Sequence, residues 1–359
     1  MPPRQHGLIR IVDRLLGRSR AAKRHKPRKR PGEDEVFENL WRIAAAASAH
    51  GPKLSIYQPN LLLFQMGKVA SLALELALID RGINCFHCHF LRHENEATRL
   101  SRMFHDEPSR RLAAVDLKLL AKHTALHMLA RWYRANEVAP DRRLKILTLT
   151  RDPVAWHASQ LLQRSGYNAQ RLTDWHRAFA GDTPVGGDVG GAVAELLRQV
   201  GRLVAETRPS AELASARERG QALAMAMTPP EPYIADNFRR ALVPLGWFDE
   251  QFTPMFDVDI RTLPELATQG LARRDLGFAD LLVVRFEDLG RHLDAIAAFA
   301  GLDEFALPPR NVSASKTHAD AILEAVRAFH STELGAAFQQ ELRQSDYARA
   351  CGYDMAQRT

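Results

Sequence analysis

Cysteine is nearly absent from this chain. Its 359 residues include three, Cys85, Cys88 and Cys351, too few for a disulfide framework, so a reducing cytoplasm is the expected compartment. No apolar run reaches the roughly 20 residues that a membrane-spanning helix needs. The N-terminal stretch Leu8 to Leu16 is interrupted by Arg10, Asp13 and Arg14, so it does not read as a secretory signal. There is no internal repeat, and no glycine string of the Walker type. What is present is ordinary for a soluble globular protein: 46% hydrophobic and 25% charged residues. The length suits one large α/β domain with insertions, or two small domains.

The net charge of +7 belongs to one segment. Residues 1–31 hold 11 Lys/Arg and one acid, Asp13, a balance of +10, which leaves −3 on the rest. Residues 1–31 therefore read as a basic, disordered tail, and 32–359 as the folded domain. Leu8, Ile9, Ile11, Val12, Leu15 and Leu16 could form a short amphipathic helix ahead of the basic block. Two readings of the tail stay open: attachment to an anionic membrane surface or nucleic-acid contact, and a solvated tail that aids solubility. The second is slightly ahead, because the segment is short and has no aromatic anchors. No specific nucleic-acid partner is expected.

Two segments carry the chemistry. In Leu61-Leu62-Leu63-Phe64-Gln65-Met66-Gly67-Lys68-Val69-Ala70-Ser71-Leu72, an apolar strand stops at a glycine, a lysine follows, and a helical pattern begins. Backbone N–H groups at such a turn lack helical partners, and the helix dipole adds positive potential. With Lys68 and Ser71 they form a cradle for phosphate or sulfate. The second segment, Ile146 to Thr150 followed by Arg151-Asp152-Pro153 and Ser159, is a short buried strand running into a helix, with Pro153 suited to its first turn. An arginine at the strand end and a serine two turns along can grip one phosphate from two sides.

The pair Gly67-Lys68-x-x-Ser71 and Arg151-Asp152-Pro-x5-Ser159 resembles the two nucleotide-binding signatures of the sulfotransferase superfamily. The blocks Cys85 to Leu91, Leu281 to Leu289, and Trp247 through Ile260 are similar to further segments of bacterial capsular-polysaccharide and carbohydrate sulfotransferase-like proteins. The resemblance spans about Leu61 to Tyr353. It departs from the family at Trp156, where many members have a second basic residue. It implies a P-loop-NTPase-like, three-layer α/β fold and 3′-phosphoadenosine 5′-phosphosulfate as co-substrate. The loop Gly67, Lys68, Val69, Ala70, Ser71 and Leu72 would hold the 5′-phosphosulfate, and Arg151 and Ser159 the 3′-phosphate. A late basic loop containing Arg310 and Lys316 would close over the nucleotide. No metal is expected, since Val69 stands where a magnesium-binding Ser/Thr would follow the lysine.

The implied reaction is in-line sulfuryl transfer to a hydroxyl of a saccharide or lipid-linked saccharide in polysaccharide biosynthesis. Such transfer needs position, a base and a cation. Lys68 is the cation, His89 the base, and His87 its neighbour on the same strand face. Glu75 is a rival base whose place in the helix after the loop is expected to turn it away. The spacing Cys85-x-x-Cys88 with His87 and His89 also invites a zinc reading. Strand alternation puts Cys88 on the opposite face and argues against it.

Alternating strands and helices predict a central parallel sheet covered on both faces. Strands are expected at Leu61 to Met66, Ile83 to Leu91, Ile146 to Thr150 and Leu281 to Phe286. Helices are expected at Glu33 to His50, Ser71 to Arg81, Asn95 to Met103, Leu112 to Arg134, Val154 to Arg164, Ala192 to Met227 with a break near Pro209, Phe238 to Phe248, Leu293 to Ala300, and Ala319 to Arg349. Residues 165–280 read as a largely helical insertion that covers the site. Two other functions remain open: a small-molecule kinase or NTPase on the same scaffold, and a non-catalytic, membrane-associated nucleotide-binding module. A peripheral position at the inner face of the plasma membrane goes with the lipid reading of the tail.

Overall fold

The computed structural model describes residues 61–89, 91, 114–180, 189–227, 231–307 and 318–354. The tail 1–31, the expected helices at 33–50 and 95–103, and the loop carrying Arg310 and Lys316 lie outside the described residues. Five strands form one sheet in the order β2-β1-β3-β5-β4. They are β1 (Leu61–Phe64), β2 (Cys85–Cys88), β3 (Leu144–Thr150), β4 (Leu271–Asp275) and β5 (Ala279–Arg285). The first three and β5 run parallel, while β4 pairs antiparallel with β5. Every residue of β1 is buried, and β3 and β5 are buried except at their second residue. Near-continuous apolar strands of this kind require cover on both faces of the sheet.

The sequence-based expectation of a wholly parallel sheet misses β4. Its residues, Leu-Ala-Arg-Arg-Asp, lack the apolar run that marks the other strands. As an edge strand it faces solvent, and charge there discourages pairing with other chains. Asp275 closes the β4–β5 hairpin by accepting from the Gly277 N–H at 2.7 Å. Its carboxylate also takes two 3.0 Å bonds from Arg143.

The helices are α1 (Ser71–Asp80), α2 (Ala114–Ala135), α3 (Pro153–Ala180), α4 (Val189–Thr207), α5 (Leu213–Ala226) and α6 (Pro232–Ala241). A winding of short helical turns follows from Val243 to Phe256, with a π-helical stretch at Phe248–Phe252. Then come α7 (Pro264–Gln269), α8 (Leu293–Ala300), α9 (Ala319–His330), α10 (Glu333–Arg343) and α11 (Asp346–Ala350). The expected break near Pro209 is present, with Arg208 in a left-handed conformation between α4 and α5. Helix α3 runs much further than the expected Arg164. The expected single helix from Phe238 to Phe248 is instead the end of α6 and the start of the winding.

Residues 165–280 are largely helical, and much of the stretch is core. Helix α4 packs on α3, α9 and α10. The winding sets Trp247, Phe252 and Phe256 around Phe64 at the end of β1, with ring centroids 4.9, 5.9 and 5.7 Å away. Aromatic pairs at these separations each contribute about 0.5–1.5 kcal/mol beyond their buried area. Among the described residues no helix is long and apolar enough to cross a membrane.

Chain order and sheet order diverge at β1. Its first neighbour in sequence, β2, lies on one side, and β3 lies on the other. In an open parallel sheet the crevice at the carboxyl ends of two such strands is where ligands bind. The loop 65–70 leaves β1 at that point, and Arg151 leaves β3 beside it.

Candidate functional site

The loop after β1 is strained and tied down. Lys68 and Ala70 have φ of 69° and 60°, the left-handed region that costs a residue with a Cβ roughly 1–2 kcal/mol. Neighbouring elements hold it there. The Trp156 indole N–H donates to the Gly67 carbonyl at 2.6 Å, and the Arg151 guanidinium donates to the Lys68 carbonyl. In a trans peptide the N–H points away from the C=O. Fixing these two carbonyls toward the β3 side therefore turns the N–H groups of Lys68 and Val69 the other way. Helix α1 then begins with no side-chain cap on its N-terminus. Among the described residues, none accepts a hydrogen bond from the N–H of Val69, Ala70 or Ser71. A strained turn with aligned N–H groups at a helix start is an anion-binding concavity.

Arg151 is the second anchor. Its own N–H donates to the Tyr347 hydroxyl oxygen at 2.9 Å, and that hydroxyl donates to the Arg151 carbonyl at 2.8 Å. Its guanidinium lies 4.5 Å over the Phe286 ring, and its Nε is buried without a partner. Burial pulls its pKa down despite the opposing pull of Glu287. Asp152 caps α3 by accepting from the N–H groups of Val154 and Ala155 at 2.8 and 2.9 Å. Ser159 is half-buried, one turn beyond Trp156 on the same side of α3. Leu72 is 47% exposed at the first turn of α1.

The two histidines meet as the alternation predicts, with ring centroids 4.4 Å apart and planes nearly perpendicular. His89 Nδ1 lies 2.7 Å from the Gln65 carbonyl oxygen. A carbonyl can only accept, so Nδ1 carries the proton and Nε2 the lone pair. The Cε1–Nε2 edge faces Gly67, where an added Cβ would sit 3.8 Å from both atoms. Trp247 donates its indole N–H to the His89 carbonyl at 3.1 Å. Burial, with His87 beside it, lowers His89 to about 3. The ring is neutral at pH 7, a correction to the ordinary histidine range that the sequence alone suggests.

The expectation for Glu75 is also corrected. Position 75 lies one turn past Ser71, and its carboxylate faces β2. Oε2 is 3.4 Å from His87 Nδ1, and Oε1 is 3.7 Å from Lys122 Nζ on α2. Burial pushes Glu75 up, but the hydrogen bond from His87 and the charge of Lys122 outweigh it, and the net shift is downward. Three more participants escaped the sequence reading. The Gln65 side chain is fully buried with neither amide atom bonded. His123 on α2 acts electrostatically on His89. Trp156 supplies a loop tie where a basic residue was expected. A polar residue closing an apolar strand was the available signal for Gln65. His123 had none.

Cys85 and Cys88 are buried thiols, and burial pushes both up in pKa. Among the described residues no group of three or more His, Cys, Asp or Glu is arranged to hold a metal ion. The structure thus brings Gly67, Lys68, Val69, Ala70, Ser71, Arg151, His87 and His89 to one end of the sheet. Arg310 and Lys316 lie outside the described residues. No family model, no curated protein and no solved structure matches the chain.

Proposed function

We propose that this protein is a sulfotransferase that moves a sulfuryl group from 3′-phosphoadenosine 5′-phosphosulfate to a hydroxyl of a saccharide or lipid-linked saccharide. On this reading the fold is P-loop-like. The protein works in the cytoplasm, and residues 1–31 are the segment that would meet an anionic membrane surface. The observation that carries the reading is the loop 67–70. It is held in left-handed conformations by ties from the end of β3 and the start of α3, with N–H groups at the head of α1 that no described residue accepts from and a neutral imidazole over Gly67. A strained, polar, incompletely satisfied turn at a sheet switch point is the expected form of an anion site.

The residues present fit the nucleotide. The N–H groups of Val69, Ala70 and Ser71 would take the 5′-phosphate oxygens, and Lys68 would neutralise charge on the leaving oxygen. The unbonded Nε of Arg151 and the Ser159 hydroxyl would take the 3′-phosphate. His89 Nε2 accepts the proton of the acceptor hydroxyl as the new O–S bond forms. The S–O bond to the nucleotide phosphate breaks, and 3′-phosphoadenosine 5′-phosphate leaves with that electron pair. A positioned base contributes about 10²–10⁴-fold to such a step.

Thermal unfolding with added 3′-phosphoadenosine 5′-phosphate is the direct test. The expected result is a rise in Tm that ATP with magnesium does not reproduce; the reverse pattern would favour a kinase. His89→Ala should lose sulfuryl transfer while keeping nucleotide affinity within a few-fold. Because His89 sits at about 3, it is already deprotonated from pH 5 upward. The wild-type kcat/KM should therefore stay flat between pH 5 and 8 where an unperturbed histidine would cut it as pH falls through about 6.5.

A further inference from the structure

The end of β3 is held residue by residue. Tyr353 donates its hydroxyl proton to Glu287 Oε2 at 2.9 Å and lies 3.0 Å from the Thr150 hydroxyl oxygen. The Tyr347 hydroxyl meets both backbone groups of Arg151. The Asp152 N–H donates to Glu287 Oε1 at 3.0 Å. One carboxylate, that of Glu287, thus braces both flanks of Arg151. Its chain neighbour Phe286 lies under the guanidinium, 4.5 Å away. We propose that Glu287 is the counter-charge of the Arg151 anchor: it fixes the strand end, weakens anion binding there by its own charge, and takes up a proton when an anion docks. This rests on the assignment of Arg151 to a phosphate group above.

A brace alone needs no charge. A glutamine would offer an oxygen to the Asp152 N–H and an amide N–H to the Tyr353 oxygen. A carboxylate instead sets a negative charge beside the place of an incoming anion. Of the charges acting on Arg151, that of Glu287 is the largest. It favours the charged guanidinium, while its two oxygens are spent on Asp152 and Tyr353 and the buried Arg151 Nε keeps no partner. The guanidinium is therefore balanced from a distance and left open to a ligand.

Glu287 is exposed as a residue, but its carboxylate is turned onto the start of α3 and the buried Tyr353. Loss of water there is the largest influence on its pKa and pushes it up. The Asp152 charge adds to the rise, and the bonds from Asp152 and Tyr353 only partly reverse it. A docked anion pushes in the same upward direction. The other groups facing this carboxylate come from three elements. Asp152 is contacted by Arg343 at 3.2 Å, with His330 beyond it. Tyr347, Tyr353 and Cys351 are all pushed up in pKa and stay protonated across the neutral range. Falling pH neutralises Glu287 and tightens anion binding; rising pH restores the charge and loosens it.

Calorimetry with 3′-phosphoadenosine 5′-phosphate tests the proposal, run in two buffers of different ionisation enthalpy so that protons taken up are counted. Glu287→Gln should bind about 3- to 10-fold more tightly than wild type at neutral pH, the scale of one partly screened charge. It should also take up fewer protons than wild type near pH 6. Whatever the ligand's phosphates and His330 contribute is common to both proteins, so the difference reads Glu287. Glu287→Asp keeps the charge and should keep the uptake. Equal or weaker binding by Glu287→Gln, or uptake equal to wild type, would overturn the proposal and leave Glu287 a brace. If the wild type binds no 3′-phosphoadenosine 5′-phosphate, the nucleotide reading fails by itself. Inorganic sulfate titrated against the same two proteins then decides the counter-charge: tighter binding by Glu287→Gln supports it, and equal or weaker binding overturns it.

Discussion

Around β5 and the C-terminal helices, buried polar groups find partners; around β1 and β2 several do not. Arg285 pairs with Asp288 at 2.6 Å and also donates to the carbonyls of Ala267 and Cys351. Glu287 accepts from the Asp152 N–H and the Tyr353 hydroxyl, and Tyr353 reaches Thr150. Toward the β2 edge of the same sheet, the Gln65 amide and His87 Nε2 are buried and unbonded, and so are Thr148 Oγ1 on β3 and Arg151 Nε just past its end, between the two regions. Near Arg285 positive φ falls on glycines, Gly270 and Gly352, at 77° and 72°; in the loop it falls on Lys68 and Ala70, as it also does on Arg208, Asp257 and His318 away from the loop. The bonded network around Arg285, with glycine at its two sharp turns, is scaffold. A region that leaves polar atoms open and stores strain in residues with a Cβ has a use for both.

Replacing glycine on the scaffold side should break the comparison most severely. A Cβ on Gly352 would lie 2.6 Å from the Ala267 carbonyl oxygen and 2.9 Å from Arg285 Nη1. Backbone strain adds to that clash, so Gly352→Ala should cost at least about 3 kcal/mol. Urea unfolding measures it, and a loss under about 1 kcal/mol would show that the C-terminal turn is softer than its contacts imply.

Much of this contrast was legible in the sequence, and the illegible part has a physical cause. The runs Leu61–Phe64 and Leu281–Val284 announce buried strands because a strand covered on both faces has no polar alternation to hide it. Gly301 marks the end of α8 where it was expected, at φ 79°. The loop was visible because an apolar strand, a lysine and a helix start follow one another without a gap. Edge strand β4 was not visible, since its charged side chains answer to solvent and not to a core. Glu75 was misread for a related reason. Helical periodicity puts it on a face, but which face meets β2 depends on how α1 docks, and that is set by packing far along the chain. Tyr347 and Tyr353 lie about 200 residues from the segments they bond, |i−j| of 196 and 203, and no local pattern links them.

A milder test removes one tie between the two regions. The Tyr347 hydroxyl serves both the N–H and the carbonyl of Arg151, and Arg151 holds the Lys68 carbonyl. Tyr347→Phe leaves two backbone groups without that partner and should cost about 1–3 kcal/mol. If scaffold and loop are coupled through Arg151, affinity for 3′-phosphoadenosine 5′-phosphate should fall with it. Calorimetry on the variant reads both quantities. A stability loss with unchanged nucleotide affinity would separate the regions.

The smallest expected effect is the most direct probe of stored strain. Ala70 sits at φ 60° and ψ 21° immediately before α1. Glycine would relieve the left-handed penalty of roughly 1–2 kcal/mol, but it adds chain entropy in the unfolded state worth roughly 0.5–1 kcal/mol. Ala70→Gly should therefore leave stability unchanged or raise it by up to about 1 kcal/mol. Ala70→Val should lower it, because a β-branched side chain tolerates this conformation worst. The loop loses preorganisation with glycine, so nucleotide affinity should weaken while the fold does not. Denaturant titration and calorimetry on the two variants give the answer together. If Ala70→Gly destabilises the protein and Ala70→Val does not, the left-handed turn is not a strained one, and the contrast between loop and scaffold rests on the unbonded polar atoms alone.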